Sequence, residues 1–130
     1  MSPTREVPMS DPAPPRMWHV TLTLAGAAVP ADDVRSALER LAHDHPFLLT
    51  GRYASGRAEV RYWEEATQLD DAAALALRLW GEHRTTARLP DWEVVGLEVV
   101  DRDTFFRRGV HGELDIRLGP ADEVRPFGAD

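Results

Sequence analysis

The stretch WHVTLTL, residues 18–24, alternates large apolar side chains with polar ones. Its apolar positions are Trp18, Val20, Leu22 and Leu24, and the polar positions between them are His19, Thr21 and Thr23. Successive side chains of a β-strand point to opposite faces of the sheet, so this alternation is typical of a half-buried strand. The stretch therefore predicts a strand that buries its apolar side and leaves its polar side open.

Five further segments follow this strand, and their apolar periodicities are those of a helix, two strands, a helix and a strand. They cover residues 31–43, 47–54, 57–64, 67–81 and 92–100. Ser55 and Gly56 supply a turn between the two middle strands. The order strand, helix, strand, strand, helix, strand predicts an α+β fold. This is the ferredoxin-like βαββαβ plait, with an antiparallel sheet and both helices on one face.

The segment 92–100 is apolar on both sides, which is unusual for a sheet with one open face. Val95, Leu97 and Val99 alternate with Trp92, Val94 and Val100. A strand that is apolar on both sides is usually covered on both sides. Because the two helices cover only one face, we expect a second subunit on the other. The sequence thus predicts a homodimer, formed through the open sheet face or through a C-terminal strand.

The chain divides into four parts by composition. Residues 1–16 hold five prolines and are interpreted as a flexible leader, and residues 17–109 as the ferredoxin-like domain. Residues 110–118 again alternate apolar and polar positions and predict an extra strand. Residues 119–130 are interpreted as an acidic tail.

Composition excludes several functions. The net charge is −7, so a phosphate-binding basic face and nucleic-acid binding are not expected. All fifteen basic residues are arginine. Without Cys or Lys the chain has no thiolate nucleophile, disulfide, Schiff base or P-loop lysine. No apolar run reaches the ~20 residues that span a bilayer, and no signal peptide is evident. We therefore expect no membrane contact and a cytoplasmic location.

The open face of the predicted sheet is the most specific candidate site. Its predicted ligand-binding residues are His19, Thr21, Arg61, Trp63, Trp92 and Glu98. His19 is the candidate general acid or base, and Glu98 on the neighbouring strand would orient it or raise its pKa. Arg61 would hold an anionic group, and the two Trp residues would form apolar walls. The alternative is that the same residues form a mixed polar dimer interface.

His43 and His45 resemble a metal-ligand pair, but residues two apart on a helix point in different directions. A His near a helix C-terminus also stabilises the helix dipole without any metal. The sequence therefore predicts neither a metal site nor a cofactor.

Over residues 18–100 the order of segments resembles the ferredoxin-like superfamily, and the chain is similar to uncharacterised small actinobacterial proteins of that type. The resemblance implies no assigned activity. The first hypothesis is a non-enzymatic homodimer with a structural, regulatory or small-ligand-binding role. The alternative is a cofactor-independent enzyme of the monooxygenase or isomerase type. It would resemble the dimeric plaits that enclose a cavity between their open faces, with His19 in that cavity.

Overall fold

The computed structural model describes residues 14–45, 47–109 and 124–128. The first six elements follow one another in the predicted order, and a short helix and a short strand come after them. The elements are β1 (Arg16–Ala25), α1 (Ala31–Asp44), β2 (Leu48–Ala54), β3 (Arg57–Ala66), α2 (Leu69–His83), β4 (Glu93–Asp101), α3 (Arg102–Gly109) and β5 (Val124–Pro126).

The strands form one sheet in the order β4-β1-β3-β2-β5. β1 lies between β3 and β4 and is antiparallel to both, and β2 is antiparallel to β3. This α+β arrangement fits an α/β plait. The prediction of a purely antiparallel sheet is wrong, because β5, within the predicted acidic tail, pairs parallel with β2 and makes the sheet mixed.

The hydrophobic core lies between the sheet and the two long helices. In β1, Val20, Leu22 and Leu24 are fully buried on this side. α1 contributes Val34, Leu38 and Leu41, and α2 contributes Ala76, Leu79 and Trp80. The side chains that alternate with them in β1, His19, Thr21 and Thr23, therefore lie on the opposite face, which we call the open face.

A β-bulge in β4 changes the predicted faces of that strand. Thr23 is opposite Gly96 and Leu24 is opposite Val94, so Val95 is an extra residue without a partner in β1. Val94 and Trp92 therefore face the helices. The Trp92 ring lies parallel to that of Trp80, with centroids 6.4 Å apart. Its indole N–H donates to the Ala27 carbonyl at 2.8 Å.

The sequence-based placement of Trp92 on the open face is therefore wrong, because the extra residue shifts the alternation of side chains by one position. Val95, expected in the core, is 59% exposed.

Three of the predicted parts lie wholly or partly outside the described residues: 1–13 of the leader, the extra strand at 110–118, and most of the tail. In the part of the chain that the structure describes, no helix combines the length and apolar character needed to cross a lipid bilayer.

Candidate functional site

The short helix α3 covers part of the open face of the sheet. It begins directly after β4, where the Asp101 carboxylate accepts a hydrogen bond from the Thr104 backbone N–H at 2.8 Å. That contact caps the first turn, and the hydrogen bonds from Thr104 also lower the pKa of Asp101. The Phe105 ring then lies flat against the ring of His19 from β1, with centroids 4.1 Å apart. Cover for this face thus comes in part from the chain itself.

Four rings form a continuous group on the open face, which we call the aromatic cluster: His19, Trp63, Phe105 and Phe106. Trp63 is opposite His19 in the β1–β3 register, and the edge of one ring meets the face of the other at 5.4 Å. Phe106 stacks on Trp63 at 6.1 Å and is still 45% exposed. The cluster is therefore closed around His19 and open at Phe106.

His19 is buried beneath this cover, with 5% of its surface exposed. Burial, followed by the nearby positive charge of Arg61, lowers the pKa of His19 to about 4. Glu98 acts in the opposite direction, but its effect is smaller. Glu98 therefore raises the pKa of His19 as predicted, but the net shift is downward, because desolvation disfavours the imidazolium more than one exposed carboxylate stabilises it.

A row of polar side chains lies next to the aromatic cluster, one pleat along the sheet. Thr21 is opposite Arg61 on one side and Glu98 on the other. The Arg61 side chain is half exposed, and its guanidinium nitrogen lies 3.4 Å from a carboxylate oxygen of Glu59 in the same strand. Glu98 accepts a hydrogen bond from Arg108 of α3 at 3.1 Å. The open face thus presents the aromatic cluster beside a charged row, which consists of Glu59, Arg61, Glu98 and Arg108.

The positive charge of α3 adds to this row. Arg102 lies over the Phe106 ring with its guanidinium carbon 5.7 Å from the ring centroid, and Arg107 lies near enough to Asp101 to lower the pKa of that carboxyl. With Asp103 as the only acidic residue of the helix, α3 is cationic in a chain whose net charge is −7. The arrangement can hold an apolar group against the rings and an anionic group beside the arginines.

Residues 17–115 match a protein family described as a domain of unknown function (DUF8830). The chain belongs to the DUF8830 family. The matched range extends from β1 through α3, so it includes every residue of the aromatic cluster. Among curated proteins, none matches the chain. The description of the DUF8830 family states no activity, and the function must be argued from the site itself.

Five of the six predicted site residues lie on the open face of this DUF8830 chain, namely His19, Thr21, Arg61, Trp63 and Glu98. Trp92 does not, for the reason given above. The sequence prediction missed Phe105, Phe106 and Arg108 as members of the site. Phe105 and Phe106 stand beside a capping residue and before Gly109, a signal of a short helix, but nothing in the pattern indicates the face on which that helix packs.

A second concave surface lies on the helix side of the molecule. An open groove of about 520 Å³ lies between α1 and residue 86, lined by Ser36, Glu39, Arg40, His43, Asp44 and Thr86. Its shape is shallow, and Arg40 is held in place by the Ala87 carbonyl at 2.6 Å. The groove is therefore a weaker candidate site than the open face. In the described ranges, no three side chains drawn from His, Asp and Glu are arranged to hold a metal ion.

Proposed function

We propose that this DUF8830 chain is a non-catalytic, homodimeric binding module of the ferredoxin-like type, whose open face binds a small anionic molecule with an apolar part. The observation that carries the proposal is the exposed edge of the aromatic cluster. Phe106 leaves nearly half of its surface in water while its ring is stacked on Trp63 and lies beneath Arg102. An exposed aromatic ring framed by cations is typical of a recognition surface.

The adjacent charged row gives the ligand its expected sign. Arg61 belongs to the same face, and its side chain is 52% exposed where it pairs with Glu59, whose side chain is 23% exposed. An ion pair that water still reaches contributes little to stability, so a ligand anion can compete for the guanidinium. A carboxylate beside Arg61 and Thr21 would leave the apolar part of the same molecule against Trp63 and Phe106.

The state of His19 supports binding rather than catalysis. An imidazole with a pKa of about 4 is neutral at pH 7 and is a weak proton acceptor, whereas an efficient general base has a pKa near the working pH. Its ring is also shielded from a ligand by Phe105. The alternative enzymatic role would require α3 to leave the open face, and no contact of the described residues favours that movement.

A different surface supports the homodimer. Of the six exposed large apolar side chains in the described residues, four belong to α2 and β4: Leu69, Leu77, Val95 and Leu97. Among the strands of the described residues, β4 lies at one edge of the sheet. Leu69 and Leu77 fall on the flank of α2 that also carries Trp80, and Trp80 stacks on Trp92 at the start of β4. We therefore assign the dimer contact to this edge and not to the open face.

Ligand binding is tested by titrating the protein with phenylacetate, indole-3-acetate and octanoate, and with the neutral amide of each, by calorimetry. We expect the carboxylates to bind and Phe106→Ala to weaken them at least fivefold. Arg61→Gln should weaken the carboxylates and leave the amides unchanged. Phe47→Ala, which removes an equally exposed ring elsewhere, is the control. Failure of all six compounds to bind saturably, or equal weakening by Phe47→Ala, would contradict the proposal.

The dimer is tested by light scattering on the full chain. We expect the mass of two chains, reduced to that of one chain by Leu77→Glu combined with Leu97→Glu. Phe47→Glu adds the same charge at another exposed apolar site and should leave the dimer intact. A single-chain mass for the unaltered protein at 100 µM would refute the dimer while leaving the ligand proposal open to its own test.

A further inference from the structure

A second group of titratable side chains lies at the opposite end of the core, between the C-terminal ends of α1 and α2. Its members are His45, Tyr62, Glu64, Glu82 and His83. The ring of His45 meets that of Tyr62 at 5.0 Å and that of His83 at 6.1 Å. Tyr62 lies on the helix-covered face of β3, so this group is on the other side of the sheet from the aromatic cluster.

The pair of histidines is not the pair that the sequence suggested. His43 lies in the last turn of α1 and is exposed. The helix ends at Asp44, and His45 takes an extended backbone conformation with φ −124° and ψ 93°. This change of direction turns its ring inward, towards Tyr62 and His83. The two helices, not the sequence neighbours, bring the imidazoles together.

Two polar atoms in this group have no hydrogen-bond partner among the described residues. They are His45 Nδ1 and the Tyr62 hydroxyl, and both are buried. Nearly all buried polar atoms in proteins have a partner, so an unpaired nitrogen and an unpaired hydroxyl in contacting residues require an explanation. Tyr62 has no exposed surface at all, which makes its hydroxyl the more unusual of the two.

His83 is oriented as histidine ligands of metals are. Its Nδ1 lies 3.1 Å from the Leu79 carbonyl oxygen, which can only accept, so Nδ1 carries the hydrogen and Nε2 carries the lone pair. Metal-ligating histidines commonly donate their other ring N–H to a backbone carbonyl in this way. Burial also lowers the pKa of His45, which keeps that imidazole in the neutral form that binds metals.

We propose that His45 and His83 bind one divalent transition-metal ion, with the Tyr62 hydroxyl as a third polar contact. Two imidazoles on one Zn²⁺, each bonded at about 2.1 Å, place their ring centres roughly 5 to 6 Å apart, and these rings are 6.1 Å apart. This set contains two histidines and one tyrosine, so it is compatible with the absence of any group of three His, Asp or Glu ligands among the described residues.

The chemistry of the donors selects the class of ion. Imidazole nitrogen suits Zn²⁺, Ni²⁺ and Cu²⁺ and binds Mg²⁺ and Ca²⁺ weakly, because those ions prefer oxygen. The ion would join the ends of α1 and α2, which gives it a structural effect. It would not contact the aromatic cluster, so this inference is independent of the proposed ligand.

The test is calorimetric titration of the metal-free full chain with Zn²⁺ at pH 7.5, with Mg²⁺ as the comparison ion and thermal unfolding as a second readout. We expect one Zn²⁺ per chain, a higher Tm with Zn²⁺ and no response to Mg²⁺. His83→Gln and His45→Gln should each weaken Zn²⁺ binding at least tenfold. His43→Gln, which removes an exposed histidine of α1, should leave it unchanged.

His83 is partly exposed, so His83→Gln is expected to fold, and circular dichroism of each variant checks this point. A two-dimensional NMR spectrum of the histidine rings gives a readout that does not depend on stability. Zn²⁺ should shift the ring signals of His45 and His83 and spare those of His43. No saturable Zn²⁺ binding, binding that His43→Gln removes, or binding that survives in both other variants would show adventitious surface binding only and overturn the proposal.

Discussion

The two faces of the sheet are made by the same strands but follow different rules. On the helix-covered face the side chains of the two central strands, β1 and β3, are apolar and fully buried, as Val20, Leu22 and Val60 illustrate. On the open face the same strands show His19, Thr21 and Arg61, and within the described ranges the cover comes from one short helix through Phe105. Local periodicity therefore determines the helix-covered face, whereas the open face depends on where α3, a later segment of the chain, packs.

The largest difference between the faces should appear in stability. Leu22→Ala removes a fully buried side chain of β1 from the covered face and should lower the free energy of unfolding by about 2 to 5 kcal/mol. Thr21→Ala, the neighbouring residue on the open face, should change it by less than about 1 kcal/mol. Urea unfolding of both variants measures the difference. Similar losses in the two variants would break the distinction between the faces.

The position of Trp92 on the covered face can be tested through a glycine that lies against it. A Cβ added at Gly26 would overlap the Trp92 ring, so Gly26→Ala should destabilise the protein by about 1 to 3 kcal/mol. At Gly81, in α2, an added Cβ meets nothing within 4 Å, and Gly81→Ala should stabilise the helix by up to about 1 kcal/mol.

Thermal unfolding of the two alanine variants provides the measurement. If Gly26→Ala were neutral, the indole of Trp92 would not lie where the bulge in β4 directs it, and the sequence-based placement on the open face would be restored.

The burial of His19 predicts a pH dependence of stability. Its pKa is about 4 in the folded chain and near 6.5 when unfolded, so the unfolded chain binds more protons between these values. The free energy of unfolding should therefore fall by about 1 to 3 kcal/mol as the pH is lowered from 6.5 towards 4. The lowered pKa of His45 acts in the same direction.

The contribution of His19 is separated from that of His45 by comparing slopes. The unfolding free energy of His19→Leu, measured by urea at several pH values, should depend less steeply on pH than that of the unaltered chain. Equal slopes would mean that His19 is accessible to water and that α3 does not rest on it.

The smallest effect is expected at the open edge of the aromatic cluster. Phe106→Ala removes a ring that is 45% exposed and should lower stability by no more than about 1 kcal/mol, although it should strongly weaken ligand binding. Chemical unfolding of Phe106→Ala measures the change in stability. A loss above 3 kcal/mol would show that Phe106 belongs to a core and not to a binding surface.

Much of the fold is predictable because it depends on local periodicity. The alternation in residues 18–24 and the apolar stripe of α1 specify their buried sides without reference to the rest of the chain. β4 departs from this because Val95 is an extra residue, and strict alternation then assigns Trp92 to the wrong face. β5 was missed because three residues carry no periodicity, and its pairing with β2 joins positions more than seventy residues apart.

The site was predictable only as far as it lies on strands. Strand order and the alternation of side chains along each strand predict five members of the site: His19, Thr21, Arg61, Trp63 and Glu98. Phe105 and Arg108 come from α3, whose packing depends on tertiary contacts with His19 and Glu98. The environment of His19 could not be derived for the same reason, since the ring that desolvates it belongs to that helix.

The central claim is that α3 rests on the open face and closes the aromatic cluster over His19. Its most direct test is an NMR titration of the His19 ring in the unaltered chain and in Phe105→Ala. We expect a pKa of about 4 in the unaltered chain and a rise towards 6.5 in the variant. A pKa near 6.5 in the unaltered chain, unchanged by Phe105→Ala, would contradict it.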